Sequence, residues 1–134
     1  NISHNINIST CERLPPMLTF IDDIIRRVTP KQDEGDSYYL KGLGEWQNAK
    51  SLTEKTSVMG QFLKAKDSYI AAKITLNKIE KTSDQTEAIQ HLIEKAISDD
   101  IVSIDILLNL CKQMTQGVSL SDEHIRNKSE EAVQ

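Results

Sequence analysis

The stretch from Val58 to Ile79 constrains this chain more than any other. Val58, Phe62, Ala65, Tyr69, Ala72, Leu76 and Ile79 follow one another at steps of three and four. That spacing keeps side chains on one face of a helix. A second row, Met59, Leu63, Ile70 and Ile74, runs beside it. Together the rows span an arc of roughly 200°, wider than the usual surface-helix stripe of about 100°. A helix of this kind needs neighbours on two sides. Lys66, Lys73 and Asn77 fall between the rows, where a lysine either snorkels outward or lines a groove.

Other segments repeat the helical pattern. Leu14, Met17, Leu18, Ile21, Ile24, Ile25 and Val28 mark a helix that begins near Pro15-Pro16 and is predicted to stop at Thr29-Pro30, because a residue before proline is pushed out of the α region. Residues 29–36 then read as a polar turn. A second helix, over 37–50, carries Tyr39, Leu40, Leu43 and Trp46 on a drifting face, weakened by Gly42 and Gly44. Ser51 or Thr53 is the expected cap of the long helix, which runs to about Lys81. Ser83 is the expected cap of the next, over 84–97, with Ala88, Ile89, Leu92, Ile93, Ala96 and Ile97 inward. Ser98-Asp99-Asp100 reads as a turn before a last helix that is apolar almost all round and ends at Gly117.

The short connections favour antiparallel neighbours. The expected fold is all-α: a four- to five-helix antiparallel up-and-down bundle around a long central helix. The expected organisation is a flexible tail over 1–13, a helical bundle over 14–117, and a polar tail or short extra helix over 118–134. With 134 residues the chain is long enough for a core without disulfides. Cys11 and Cys111 form no framework, and Cys111 on its apolar face reads as a buried free thiol. The chain begins at Asn1, which suggests a processed product or a piece of a longer protein. Three formal glycosylation sequons, at Asn1, Asn7 and Asn127, read as polar-tail composition.

Several chemistries lack their residues. Net charge is −4, and no clustered basic face offers itself to a nucleic-acid backbone. No run is long enough to span a membrane. His4, His91 and His124 have no ligand spacing, so neither a metal nor another cofactor is expected. Asp22 and Asp23 each stand four residues before an arginine, the spacing of surface ion pairs. Gly42-Leu43-Gly44 lacks the third glycine and the preceding strand of a nucleotide loop.

Two small helical enzyme-like classes have residue patterns that this chain meets only in part. Histidine phosphotransfer domains place a lysine three residues after an exposed histidine. Here the run His91-Leu92-Ile93-Glu94-Lys95 puts the lysine one residue late and an acid at the third position. Chorismate-mutase-like bundles need several cations converging in a pocket, and only Lys66 and Lys73 could face inward. The chain therefore reads as a non-catalytic helical module that binds and regulates a partner protein, by inhibiting, scaffolding or chaperoning it. A small helical enzyme or a phosphotransfer domain using His91 is the alternative.

The expected binding residues are Tyr38, Tyr39 and Trp46, since Tyr and Trp are enriched at interfaces, together with Lys66 and Lys73. Homo-oligomerisation is a further expectation. The Ile/Asn/Lys-rich composition and Glu-containing tail resemble those of bacterial effectors. That resemblance implies a secretion-related role, with delivery into a host cell as the alternative to a cytoplasmic location.

Overall fold

The computed structural model describes residues 15–81, 83–116 and 122–133. The expected N-terminal tail, Cys11, the first two sequons and the Gly117 stop lie outside the described residues. The described chain is all-α and forms an up-and-down bundle of four helical rods. The first rod comprises α1 (Pro15–Asp23), a π-helical turn (Ile24–Val28) and α2 (Thr29–Asn48). The second comprises α3 (Leu52–Ser57) and α4 (Met59–Lys78). The third is α5 (Asp84–Thr115) and the fourth α6 (Asp122–Val133).

The first rod corrects the sequence reading. Thr29-Pro30 does not end a helix, and residues 29–36 are not a turn. A proline inside a helix lacks an N–H and collides with the carbonyl four residues back. The chain meets both problems by widening over Ile24–Val28, where the Thr29 N–H donates to the Ile24 carbonyl, a five-residue step. Pro30 then sits in the first turn of α2, where its missing donor costs little. The extra residue per turn also rotates the faces of α1. Phe20, Ile24 and Val28 point inward, while Leu18, Ile21 and Ile25 are exposed.

The third rod corrects a second boundary. Ser98-Asp99-Asp100 lies within one 32-residue helix. Such residues favour turns when their side chains bond to nearby backbone. Here they are engaged elsewhere: Ser98 Oγ accepts from Lys73 Nζ at 3.2 Å and Asp99 pairs with Lys95 at 3.3 Å. With no Gly or Pro to interrupt it, the helix continues.

The break between the first and second rods is a true turn. Ala49 is extended, and Ser51 caps α3 by accepting the Glu54 N–H at 3.1 Å while Glu54 Oε2 accepts the Lys50 N–H at 2.8 Å. Ser83 caps α5 as expected, in a reciprocal pair with Thr86. The predicted single long helix is divided at Val58, a turn residue between α3 and α4, and it ends slightly early, at Lys78.

α4 is the centre of the fold. All seven residues of the first row, five within α4 and Val58 and Ile79 flanking it, are buried, none more than 4 % exposed. This single row serves neighbours on both sides. On one, α2 approaches so closely that glycine is required. A Cβ on Gly35 would lie 2.6 Å from Tyr69 Cε1, and one on Gly42 would lie 2.7 Å from Phe62 Cε1. The glycines are seven residues apart, as are the aromatics, in opposite order. The rods therefore run antiparallel, each ring seated over a glycine. Gly42, which sequence reading treats as a weakness in its helix, is a packing contact.

Candidate functional site

On the other side of α4, polar side chains mark the edge of its contact with α5. Lys66 Nζ pairs with Asp105 at 2.7 Å. Lys73 Nζ donates to Ser98 Oγ and lies 4.0 Å from Glu94. Asn77 Oδ1 accepts from the buried Gln90 at 3.0 Å. The two lysines thus neither extend freely into water nor converge on a concavity. They form a partly exposed seam, of a kind that contributes only about 0–1 kcal/mol per pair.

Beyond this seam lies the second apolar row of α4. Three of its four members are not covered: Leu63 is 45 %, Ile70 37 % and Ile74 51 % exposed, while Met59 is half-buried against the core. The expectation that each row has its own set of neighbours fails here, because α2 and α5 both pack against the first row and its flanks. Leu18, Ile21 and Ile25 form a second outward row, on α1 and the π-helical turn that follows it. Leu40, Leu52, Leu92 and Val102 are also exposed. Apolar residues that surface singly are normal, whereas a helical row of them is a feature of interaction surfaces.

The aromatic group predicted from sequence is divided among different neighbourhoods. Tyr38 is half-buried, with Lys64 Nζ 5.7 Å from its ring centroid. Tyr39 packs on Phe62, with ring centroids 6.1 Å apart, and its hydroxyl donates to the Ala132 carbonyl at 3.1 Å. Trp46 is 3 % exposed, tilted against Phe62, and its indole N–H donates to Ser129 Oγ at 3.0 Å. Tyr39 and Trp46 therefore bind α6. Residues 118–134 are expected from sequence to be a polar tail or short extra helix, and the aromatics Tyr39 and Trp46 need hydrogen-bond partners for their polar tips. α6 supplies both, and buries Ala132.

A polar knot ties the waist of the bundle. The Tyr69 hydroxyl donates a short hydrogen bond to Asp36. Burial, this bond and the nearby carboxylates raise the Tyr69 hydroxyl well above the ordinary phenol range. Burial also raises the Asp100 carboxyl, as do the negative charges of Asp36 and Asp99. Burial and Asp100 raise Tyr39 in turn. Cys111 is buried, its Sγ 3.8 Å from the Lys55 carbonyl oxygen, and its thiol is pushed up to about 11 by burial against a smaller opposing effect of Lys55.

His91 is exposed on α5, 3.9 Å from Glu87. Arg26 pairs with both Asp22 and Asp23, at 3.4 and 2.5 Å, on the surface of the first rod. Among the described residues, no group of three His, Cys, Asp or Glu side chains is placed to hold a metal ion. No helix among them is long and apolar enough to cross a membrane. The chain matches no protein-family model, no curated protein and no solved structure.

Proposed function

We propose that this chain is a non-catalytic helical module that binds a partner protein through the outward row of α4. The observation that carries this reading is the exposure of Leu63, Ile70 and Ile74 on the best-packed helix of the fold. The three residues are spaced by seven and four, the anchor spacing with which one helix lies along another. The backbone beneath them is held by the buried row on the adjoining face of the same helix, so the face is presented rigidly. A preorganised face loses little conformational freedom on binding. The lysine seam alongside supplies a polar rim, as interfaces commonly have around an apolar centre. Inhibition, scaffolding and chaperoning of the partner are all served by such a face.

This reading replaces the sequence-derived surface in part. Lys66 and Lys73 keep a place in it as the rim. Tyr39 and Trp46 act instead as anchors of α6, and Tyr38 stands apart beside Lys64. The test is the paired substitution Leu63→Glu with Ile74→Glu. Proteins from the native source that co-purify with the wild-type chain are identified by mass spectrometry, purified, and titrated against both forms by calorimetry. The double variant is expected to keep its fold and lose at least about tenfold in affinity, since two desolvated charges would oppose docking. Undiminished affinity in a folded double variant removes the row from the interface.

A further inference from the structure

A different part of the molecule has the makings of a ligand site. The C-terminal end of α2, α3 and α6 together line a notch of about 380 Å³ beside Trp46. Its apolar wall is formed by Trp46 and Ile125, and its charged groups are Lys55 and Arg126. No carboxylate lines it, although the chain has 20 acidic residues and a net charge of −4. The notch is thus a local reversal of the molecule's overall charge.

The two cations are held differently. Lys55 Nζ donates to the Trp46 carbonyl at 3.2 Å and lies 4.6 Å from the indole centroid. It is fixed in place by these contacts and keeps further N–H donors. Arg126 is exposed and has no ion pair among the described residues, despite Glu123 and Glu130 on its own helix. Its guanidinium has a planar fork that suits a carboxylate. The Trp46 indole N–H is turned to Ser129, which fixes the ring that forms the wall.

We infer that this notch binds a short acidic segment of a partner protein, with a carboxylate between Lys55 and Arg126 and an adjacent apolar side chain against Ile125, beside the buried edge of Trp46. Two cations suit a single carboxylate side chain. A nucleic acid or an anionic membrane would instead meet the repulsion of a net-negative molecule beyond the notch. Arginine is also among the residue types that most often dominate protein–protein binding. The inference is independent of the α4 row, which is on another helix, and either can fail while the other stands.

The test uses the full chain and a blocked tetrapeptide with two acidic residues flanked by leucines. The control peptide carries glutamine and asparagine in place of the acids, and inorganic phosphate is a third probe. Binding is read by NMR from the Trp46 indole N–H and the Arg126 side-chain N–H. The acidic peptide is expected to shift both signals saturably, with the control at least about tenfold weaker. Arg126→Glu, at an exposed position, is expected to weaken the acidic peptide by a similar factor with an unchanged melting midpoint. Lys55→Met provides a second variant from the other side of the notch. Equal binding of the neutral peptide, no saturable shift, or full affinity in the folded Arg126→Glu variant overturns the inference. Saturable binding of phosphate without the peptide also overturns it.

Discussion

The close approach of α2 and α4 makes a sharp prediction about glycine. Gly35→Ala and Gly42→Ala each place a methyl carbon 2.6–2.7 Å from an aromatic carbon of the facing helix. Neither ring can readily retreat. Tyr69 and Phe62 are 1 % and 0 % exposed, Tyr69 is tied through its hydroxyl to Asp36, and Phe62 is flanked by Tyr39 and Trp46. Overpacking of this sort costs about 1–3 kcal/mol. Alanine regains about 0.8–1 kcal/mol of helix propensity over glycine. The expected net loss is up to about 2 kcal/mol per site, or a fall in melting midpoint of up to roughly 8 °C for a chain of this size. Gly44→Ala is the internal control. It lies in the same helix, but a Cβ there meets nothing within 4 Å. It should therefore gain about 0.5–1 kcal/mol. Urea unfolding followed by far-UV circular dichroism measures all three. If Gly35→Ala and Gly42→Ala are as stable as Gly44→Ala, the rods are not in glycine–aromatic contact and the packing argument fails.

Other predictions follow from the same contacts. Trp46→Ala should destabilise the fold by about 3–5 kcal/mol, since it empties a buried site and removes the indole bond to Ser129; hydrogen exchange should show α6 losing protection first, and a variant of unchanged stability would place Trp46 outside the core. Asp100 has a raised carboxyl pKa, so the folded chain binds its proton more tightly than the unfolded chain does. Its ionisation opposes folding, by an amount that grows as pH rises from the unfolded value near 4 through the folded one. Asp100→Asn should therefore raise the melting midpoint at neutral pH, with the two midpoints converging towards about pH 4; parallel curves would show that Asp100 does not feel Asp36 and Asp99. The Cys111 thiol, raised to about 11 and buried, should resist a thiol reagent at pH 8 until denaturant opens the bundle; rapid labelling of that cysteine in the native chain would contradict its burial.

The seven residues of the buried α4 row were legible because one uninterrupted period of steps of three and four runs through them. Ser83 was legible for a similar local reason, since a cap bonds within one turn. The misread boundaries at Thr29-Pro30 and Ser98–Asp100 also rested on local rules, but these rules lost to context. A π turn absorbed the proline, and bonds to Lys73 and Lys95 drew the polar side chains away from the backbone. The π turn also explains why Phe20 faces inward while Ile21 and Ile25 do not: a wheel of constant pitch assigns the wrong faces once the pitch changes. The glycines illustrate a different gap. Gly35 and Gly42 are seven apart, but only the positions of Tyr69 and Phe62 on a distant helix reveal their purpose. For the candidate site, both rows of α4 were visible in the sequence, whereas the uncovered state of the second depends on how α2 and α5 share the first. The Lys55–Arg126 notch joins residues 71 apart in sequence (126 − 55), with no shared motif to connect them.

The central claim is that α4 builds the fold with one row and offers the other to a partner. The most direct measurement compares melting midpoint and partner affinity in the Leu63→Glu/Ile74→Glu variant and in Phe62→Ala. The account predicts a midpoint close to wild type with lost binding for the first, and a loss of about 3–5 kcal/mol of stability for the second. A double variant that unfolds as readily as Phe62→Ala, or that binds as tightly as wild type, would contradict it.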